Sequence, residues 1–131
     1  MALAAKAFRP DLRIIGVQAE RLAAYPLSLK AGTPTAIVPT ARTMADGIAV
    51  AQPGAVPFAI IRDQVDRVLT VTESDLSRTV LQLLERAKMM VEPAGAASVA
   101  ALLAYPEVFA DDRCVVPVLS GGTLIRRCSC K

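Results

Sequence analysis

The sequence predicts an α/β fold, a parallel sheet with helices packed over it. Three observations carry this. Apolar runs of strand length (Leu12–Ala19, Arg67–Thr72, Cys114–Leu119) alternate with alanine- and leucine-rich stretches of helical character; such alternation belongs to parallel sheets crossed over by helices. The first and last runs are almost continuously apolar, as strands covered on both faces are. The 131 residues are 53% hydrophobic and 21% charged, which puts them in the globular class with enough chain to bury a core. The Ala-Val-Leu richness suits close packing of helix on sheet.

The elements follow in order. Met1 to Phe8 combines alanines with straight side chains and is stopped by Pro10, so it is predicted as a short helix. Leu12–Ala19 is the first strand, with Gly16 a candidate point of close approach. Arg21 to Leu29 is a helix containing Pro26, ended by the turn chemistry of Ala31-Gly32-Thr33-Pro34. Thr33 to Pro57 carries four prolines and two glycines without a lasting period. A loop of that length in a small domain marks function. Within it, Asp46-Gly47 reads as a turn with left-handed backbone access. Phe58–Val65 is a short helix and Arg67–Thr72 the second strand. Thr72-Glu73-Ser74-Asp75 opens the next helix in the manner of a capping box. That helix bears one apolar stripe, Leu76, Val80, Leu83, Leu84, Ala87 and Val91, which is read as core. Pro93 interrupts the pattern, and Pro93 fits the first turn of a following helix whose residues Ala96–Ala104 are small enough for close backbone approach. A loop from Tyr105 to Asp112 leads into the third strand, Cys114–Leu119, in which Pro117 is the discordant residue.

Composition excludes several functions. Net charge is +3, with part of the excess in the tail residues Arg126, Arg127 and Lys131, and no basic face with interleaved aromatics is present; nucleic acid is not an expected partner. No apolar stretch has the length of a membrane span, and the N-terminal residues lack the layout of a signal peptide. Cys114, Cys128 and Cys130 are odd in number, without ligand spacing, and the sequence contains no histidine. A zinc site and a disulfide scaffold are therefore both excluded, and a reducing cytoplasm is the expected location. A free-standing phosphate or nucleotide module would need a Gly-x-Gly-x-x-Gly or Walker pattern, and neither occurs.

Candidate functional residues sit at element ends. In open α/β sheets, ligands gather beyond the carboxyl ends of the strands. That position falls to Ser120, followed by Gly121 and Gly122, which let backbone come close to a flat ligand. Glu92 stands between two apolar helical segments, where an unpaired carboxylate is costly to bury. It faces either solvent at a helix start or a polar ligand.

Six stretches taken together are similar to one family: Ile14-Ile15-Gly16-Val17-Gln18-Ala19-Glu20, Met44-Ala45-Asp46-Gly47-Ile48-Ala49-Val50, Ile61-Arg62-Asp63-Gln64-Val65-Asp66, Leu84-Glu85-Arg86-Ala87-Lys88, Val91-Glu92-Pro93-Ala94-Gly95-Ala96 and Leu119-Ser120-Gly121-Gly122. In this order and spacing they resemble threonine ammonia-lyase (threonine dehydratase), of the tryptophan-synthase-like, fold type II pyridoxal-phosphate enzymes. Serine racemase and serine dehydratases share much of the pattern. The resemblance implies a partial three-layer parallel sheet with helices on both faces, the C-terminal part of the catalytic domain, over residues 1–122. It implies pyridoxal phosphate as cofactor of the intact enzyme, threonine or serine as substrate, and a place in amino-acid metabolism, isoleucine biosynthesis included. Ser120 matches the serine that hydrogen-bonds the pyridine nitrogen of the cofactor. Glu92 matches a glutamate near the ring, and Gly47 matches the glycine whose backbone lies beside it, with Asp46 shaping the turn. Gly121 belongs to the same glycine pair after the serine.

The departures are equally definite. Nothing here matches the family's Ser-x-Lys-x-Arg-Gly segment with its Schiff-base lysine, the asparagine over the ring, or the four-glycine phosphate loop. No catalytic residue is therefore assigned. The chain alone is expected to be inactive and not to retain the cofactor, unless it completes another polypeptide that carries the lysine. Gln18 and Ala24 fall where some relatives place metal-binding acids, and Glu20 alone is too little for a hard cation, so no metal site is expected. After Gly122 the family pattern is lost. Residues 123–131 read as a divergent tail whose codons, shifted by one base, can yield the family continuation, as a frameshift would produce. An incomplete sheet would leave edges and apolar helix faces that favour self-association or homo-oligomers.

Overall fold

The structure is a computed structural model that describes residues 1–39 and 41–121; the expected tail, with Gly122, Cys128 and Cys130, lies outside the described residues. Its elements are α1 (Ala2–Phe8), β1 (Ile15–Ala19), α2 (Ala24–Ala31), α3 (Ala55–Gln64), β2 (Arg67–Val71), α4 (Glu73–Ala87) and α5 (Pro93–Ala104). Single 3₁₀ turns occupy Glu20–Leu22, Asp46–Ile48 and Pro106–Phe109.

β1 and β2 are parallel and in register from Ile15 opposite Arg67 to Ala19 opposite Val71. The long connection between them, through α2 and α3, is what a parallel pair requires. The ladder is pinned at its start by Asp66, whose Oδ2 accepts the Ile14 N–H at 2.7 Å while its own N–H donates to the Ile14 carbonyl. Lys6 of α1 adds an ion pair to the same carboxylate at 3.3 Å. α5 packs over both strands and against α4, and the core lies between them: Ala19, Leu69, Val71, Leu76, Ala97, Ala100 and Ala101, joined by Ala45 from the long loop. Small side chains bring α5 close to the sheet, so the alanine run read from the sequence is the packing face.

Helix ends follow local chemistry. Thr72 and Asp75 form a reciprocal capping box at the start of α4. Pro26 sits in the first turn of α2 and Pro93 at the first position of α5, where a missing N–H interrupts no helical bond. Gly32 ends α2 with φ +75°, a left-handed stop. α2 lacks a cap of its own, and the Oε1 of Gln18 in β1 accepts the Tyr25 N–H at 2.9 Å in its place.

Several expectations are corrected. The expected helix Arg21–Leu29 divides into a 3₁₀ turn and α2. α3 begins earlier than Phe58, at Ala55, with Phe58 as its buried anchor. α4 stops at Ala87 because Lys88 turns into the left-handed region (φ 56°), so Val91 lies beyond the helix. The upper half of the stripe is uncovered: Leu76 is buried, while Leu84 is 44% exposed. Gly16 is not a forced close approach, since a Cβ there would meet its neighbours at ordinary distances of 3.4–3.8 Å.

The largest correction concerns Cys114–Leu119. Among the described residues this run joins no ladder, and Val116 is 78% exposed. Half-buried and exposed residues alternate from Val115 to Ser120, so one side lies against the protein and the other is open. A valine-rich run is covered on both faces only where strands flank it and helices lie above and below. Among the described residues, α5 lies along one side of it.

Candidate functional site

The site is built at the first turn of α5. Glu92 occupies the N-cap position with extended backbone (φ −69°, ψ 155°), but its carboxylate caps no helix N–H. The following Pro93 has no N–H to offer, and the half-buried Glu92 side chain lies beside two glycines instead. A Cβ on Gly47 would come within 3.6 Å of Glu92 Oε1 and 3.1 Å of the Ala94 methyl. A Cβ on Gly121 would collide with Glu92 Oε1 and lie 2.6 Å from its Cδ. Three segments far apart in sequence thus converge on one carboxylate. The absence of side chains at residues 47 and 121 is what leaves room around it.

Each wall is held by its own local structure. Gly47 is the middle residue of the 3₁₀ turn Asp46–Ile48, with Ile48 N–H bonded to the Ala45 carbonyl and Ala49 N–H to that of Asp46. This overturns the left-handed turn expected at Asp46-Gly47, because the positive-φ glycines of the described chain are Gly32 and Gly121. Gly47 is needed for space, not for dihedral freedom. The loop leading to it is anchored by Ala45, which is fully buried, by Met44 N–H donating to Glu73 Oε2 at 2.8 Å, and by Arg21 donating to the Arg42 carbonyl at 2.8 Å. The other oxygen of Glu73 is buried and has no hydrogen-bond partner among the described residues. Gly121 has φ +74°, a conformation that L side chains rarely adopt, so it is constrained both by backbone and by the Glu92 carboxylate.

Ser120 precedes Gly121 and is exposed. Its backbone crosses the first turn of α5 so closely that its carbonyl oxygen occupies the place a Cβ on Gly95 would take. One turn along, Ser98 Oγ donates to the Val118 carbonyl at 2.7 Å. Neither Gly95 nor Ser98 is picked out by the sequence reading, which places the close approach at Ala96–Ala104. The available signal was the glycine itself: within a helix it is about 1 kcal/mol worse than alanine, so one in an alanine run marks a crowded spot. A separate surface hollow of about 620 Å³ is lined by Leu22, Pro39, Arg42, Thr43, Met44 and Asp46. It shares Asp46 with the approach to the site but none of Gly47, Glu92, Ser120 or Gly121, so the convergent glycines define the site better than the hollow does. Among the described residues no group of three or more acids and cysteines is placed to hold a metal ion, and Gln18 and Ala24 are occupied in starting α2.

An α/β scaffold that gathers two glycines and a carboxylate at element ends has the layout of the small-molecule sites that α/β enzymes build. The chain belongs to the pyridoxal-phosphate dependent enzyme family, whose sequence pattern matches residues 1–121. It is 42% identical over 124 residues to the L-threonine ammonia-lyase of Geobacter sulfurreducens, covering 95% of this chain and 30% of that protein. The L-threonine ammonia-lyase of Thermotoga maritima is 37% identical over the same shares. Among solved structures, the threonine deaminase of T.th. superposes with a TM-score of 0.82 at 35% identity, over 94% of this chain and 44% of that one. Maize serine racemase gives 0.85 at 31% identity, over 94% and 38%. The chain therefore spans about a third of the length of the curated relatives it matches.

Proposed function

We propose that these residues are part of the catalytic domain of a threonine ammonia-lyase, the enzyme that converts threonine to 2-oxobutanoate and ammonia. The single observation that carries the reading is the convergence of Gly47, Gly121 and Glu92, with Ser120 next in chain, in a protein of this family. The names of the relatives supply the substrate: the more similar ones act on threonine, and the serine racemases superpose at lower identity.

In this proposal a flat ring calls on the bare backbone of the two glycines. A methyl at residue 121 would collide with the Glu92 carboxylate and one at residue 47 would press on the Ala94 methyl at 3.1 Å, so both positions present backbone, not side chain, beside Glu92. Pyridoxal phosphate, when bound, supplies an electron-withdrawing ring that lets an amino acid lose its α-proton. In this reading Ser120 holds the ring nitrogen through a neutral hydroxyl, which does not force that nitrogen to stay protonated. Gly47 and Gly121 bring backbone to the ring, and Glu92 offers an acceptor at its rim. No lysine of the sequence has the family's Ser-x-Lys-x-Arg-Gly context. The covalent anchor and the phosphate grip therefore belong to other residues than these, and this chain by itself turns over no threonine. The setting is cytoplasmic amino-acid metabolism, with copies associating through uncovered sheet edges; no helix of the described chain is long and apolar enough to cross a membrane. Residues 123–131 are a tail apart from the domain, consistent with a family match that ends at residue 121. Reading the gene in the shifted frame tests this, and a coherent family continuation is the expected result.

The functional test is 2-oxobutanoate formation from threonine, with serine in parallel. Measured with the chain alone, it is expected to show none. Mixed with a polypeptide carrying the lysine-bearing part of a threonine ammonia-lyase, the chain is expected to restore turnover of threonine in preference to serine. Turnover by the chain alone would overturn its proposed inactivity. A preference for serine would replace the substrate, and failure of the mixture in both assays would count against the cofactor reading itself.

A further inference from the structure

We propose that Gly95 and Ser98, one turn apart on α5, are positioning residues that seat the segment Val118–Gly121 and thereby set Ser120 and Gly121 against Glu92. The proposal rests on the cofactor reading only for what Ser120 does once placed; the seating stands on geometry alone.

Among the described residues, no ladder holds the chain after Arg113, yet it must hold Ser120 in a fixed place. The alternation of half-buried and exposed residues from Val115 to Ser120 has a period of two, so Val118 and Ser120 are oriented alike. On α5, residues three apart lie on one face. The two spacings match at two points. Ser98 Oγ donates to the Val118 carbonyl at 2.7 Å, and the Ser120 carbonyl enters the space left by the missing side chain of Gly95. A methyl there would clash with that oxygen and lie 2.7 Å from the Ser120 carbonyl carbon. Both are backbone atoms and cannot rotate aside.

The seat and the acid share one rigid body. Glu92, Gly95 and Ser98 follow one another at intervals of three at the start of α5, and the helix is fixed by its buried alanines 96, 97, 100 and 101. Displacing Ser120 from Gly95 would carry the adjoining Gly121 away from the Glu92 carboxylate. An alanine at residue 95 would raise helix propensity while closing the seat, so helix stability and segment placement should move in opposite directions.

The test uses the isotope-labelled chain and its variants Gly95→Ala, Ser98→Ala and Ser98→Thr, read by amide resonances and heteronuclear relaxation. Gly95→Ala should shift the Ser120 and Gly121 resonances and lower the order parameters of residues 118–121, while those of β1 and β2 stay unchanged. Ser98→Ala should give a smaller change in the same residues, and Ser98→Thr, which keeps the hydroxyl, should restore them. Unchanged Gly121 resonance and order in Gly95→Ala would overturn the proposal. Should that variant not fold, Ser98→Ala with resonances and order at residues 118–121 equal to the parent chain would overturn it equally. Titration with pyridoxine phosphate, which lacks the aldehyde and cannot condense with surface lysines, reads the other part: Gly47 and Gly121 resonances should move together in the parent chain and less in Gly95→Ala. If the parent chain shows no response, the cofactor reading loses support, and the resonances and order of residues 118–121 in the variants still decide the seating.

Discussion

β2 and the segment Cys114–Gly121 are both valine-bearing and are held by different forces. β2 is fixed along its length by the ladder to β1, and its Val71 is fully buried beneath α5. Among the described residues the later segment joins no ladder and is held by a side contact with α5, at Ser98 and Gly95, while Val116 is open to solvent. The contrast teaches that an apolar run becomes a strand by having a partner for its backbone. Lacking one, it is placed by whichever side chains reach its carbonyls. The ladder holds β2 along its backbone, and in the proposed seating the side contact with α5 places Ser120 and Gly121.

Substitutions can break or sharpen that contrast. The largest effect belongs to the laddered core: Leu76→Ala should destabilise by about 3 kcal/mol in urea denaturation, since Leu76 is fully buried in one cluster with Leu69 and Val71. An effect below about 1 kcal/mol would show the core to be looser than its burial implies.

Second is the pin at the ladder's start. The Ile14 N–H bonded to Asp66, with Lys6 adding attraction, holds the Asp66 carboxyl below its ordinary value against the opposing effect of desolvation. The folded value is thus the depressed one. Its stabilisation is full above the unfolded value near ~4 and is lost as pH falls through the lower folded value. The carboxylate is 42% exposed, so solvent screening limits the gain to about 1 kcal/mol or less. Asp66→Asn should remove this part of the acid-side fall in a stability–pH curve. Parent and variant curves that stay parallel from neutral to acid pH would sever the pin from the ladder.

Third, Lys88 holds a left-handed conformation at the end of α4. Lys88→Gly should raise stability by about 0.5–1 kcal/mol without touching either segment. It is a control: thermal melting should rise while the amide resonances of residues 118–121 stay unchanged. The smallest effect is expected at Val116→Thr, within about 0.5 kcal/mol by the same denaturation assay. A loss comparable to that of Leu76→Ala would mean that Cys114–Leu119 is core after all and would dissolve the contrast.

Much of the fold was legible because it is local chemistry. Thr72 and Asp75 announced the start of α4, Pro93 the start of α5, and Gly32 the end of α2. The candidate residues Glu92, Gly47 and Gly121 were named through a resemblance spread over six stretches, and the structure brings those three together. The reason for Gly47 was not legible. An Asp-Gly pair reads as a left-handed turn, but the glycine is there because a Cβ would press on the Ala94 methyl at 3.1 Å. Ala94 is far along the chain from it. Gly95 and Ser98 were missed for the same reason, since a helix sequence does not say which chain will cross it. Lys88 was missed because a charged residue in a left-handed cap has no sequence signal comparable to glycine.

By itself, the sequence determined where helices occur though not all their ends, the two paired strands, the caps at Thr72, Pro93 and Gly32, and the family, all of which depend on nearest-neighbour chemistry or on patterns kept in register along the chain. Tertiary structure alone decided which apolar run would find a ladder, which glycines serve space and which serve dihedral angle, and that one carboxylate would be walled by three distant segments. The physical reason is that backbone pairing and steric exclusion act between residues remote in the chain. Composition fixes what each segment is able to do, and only its neighbours in space fix what it does.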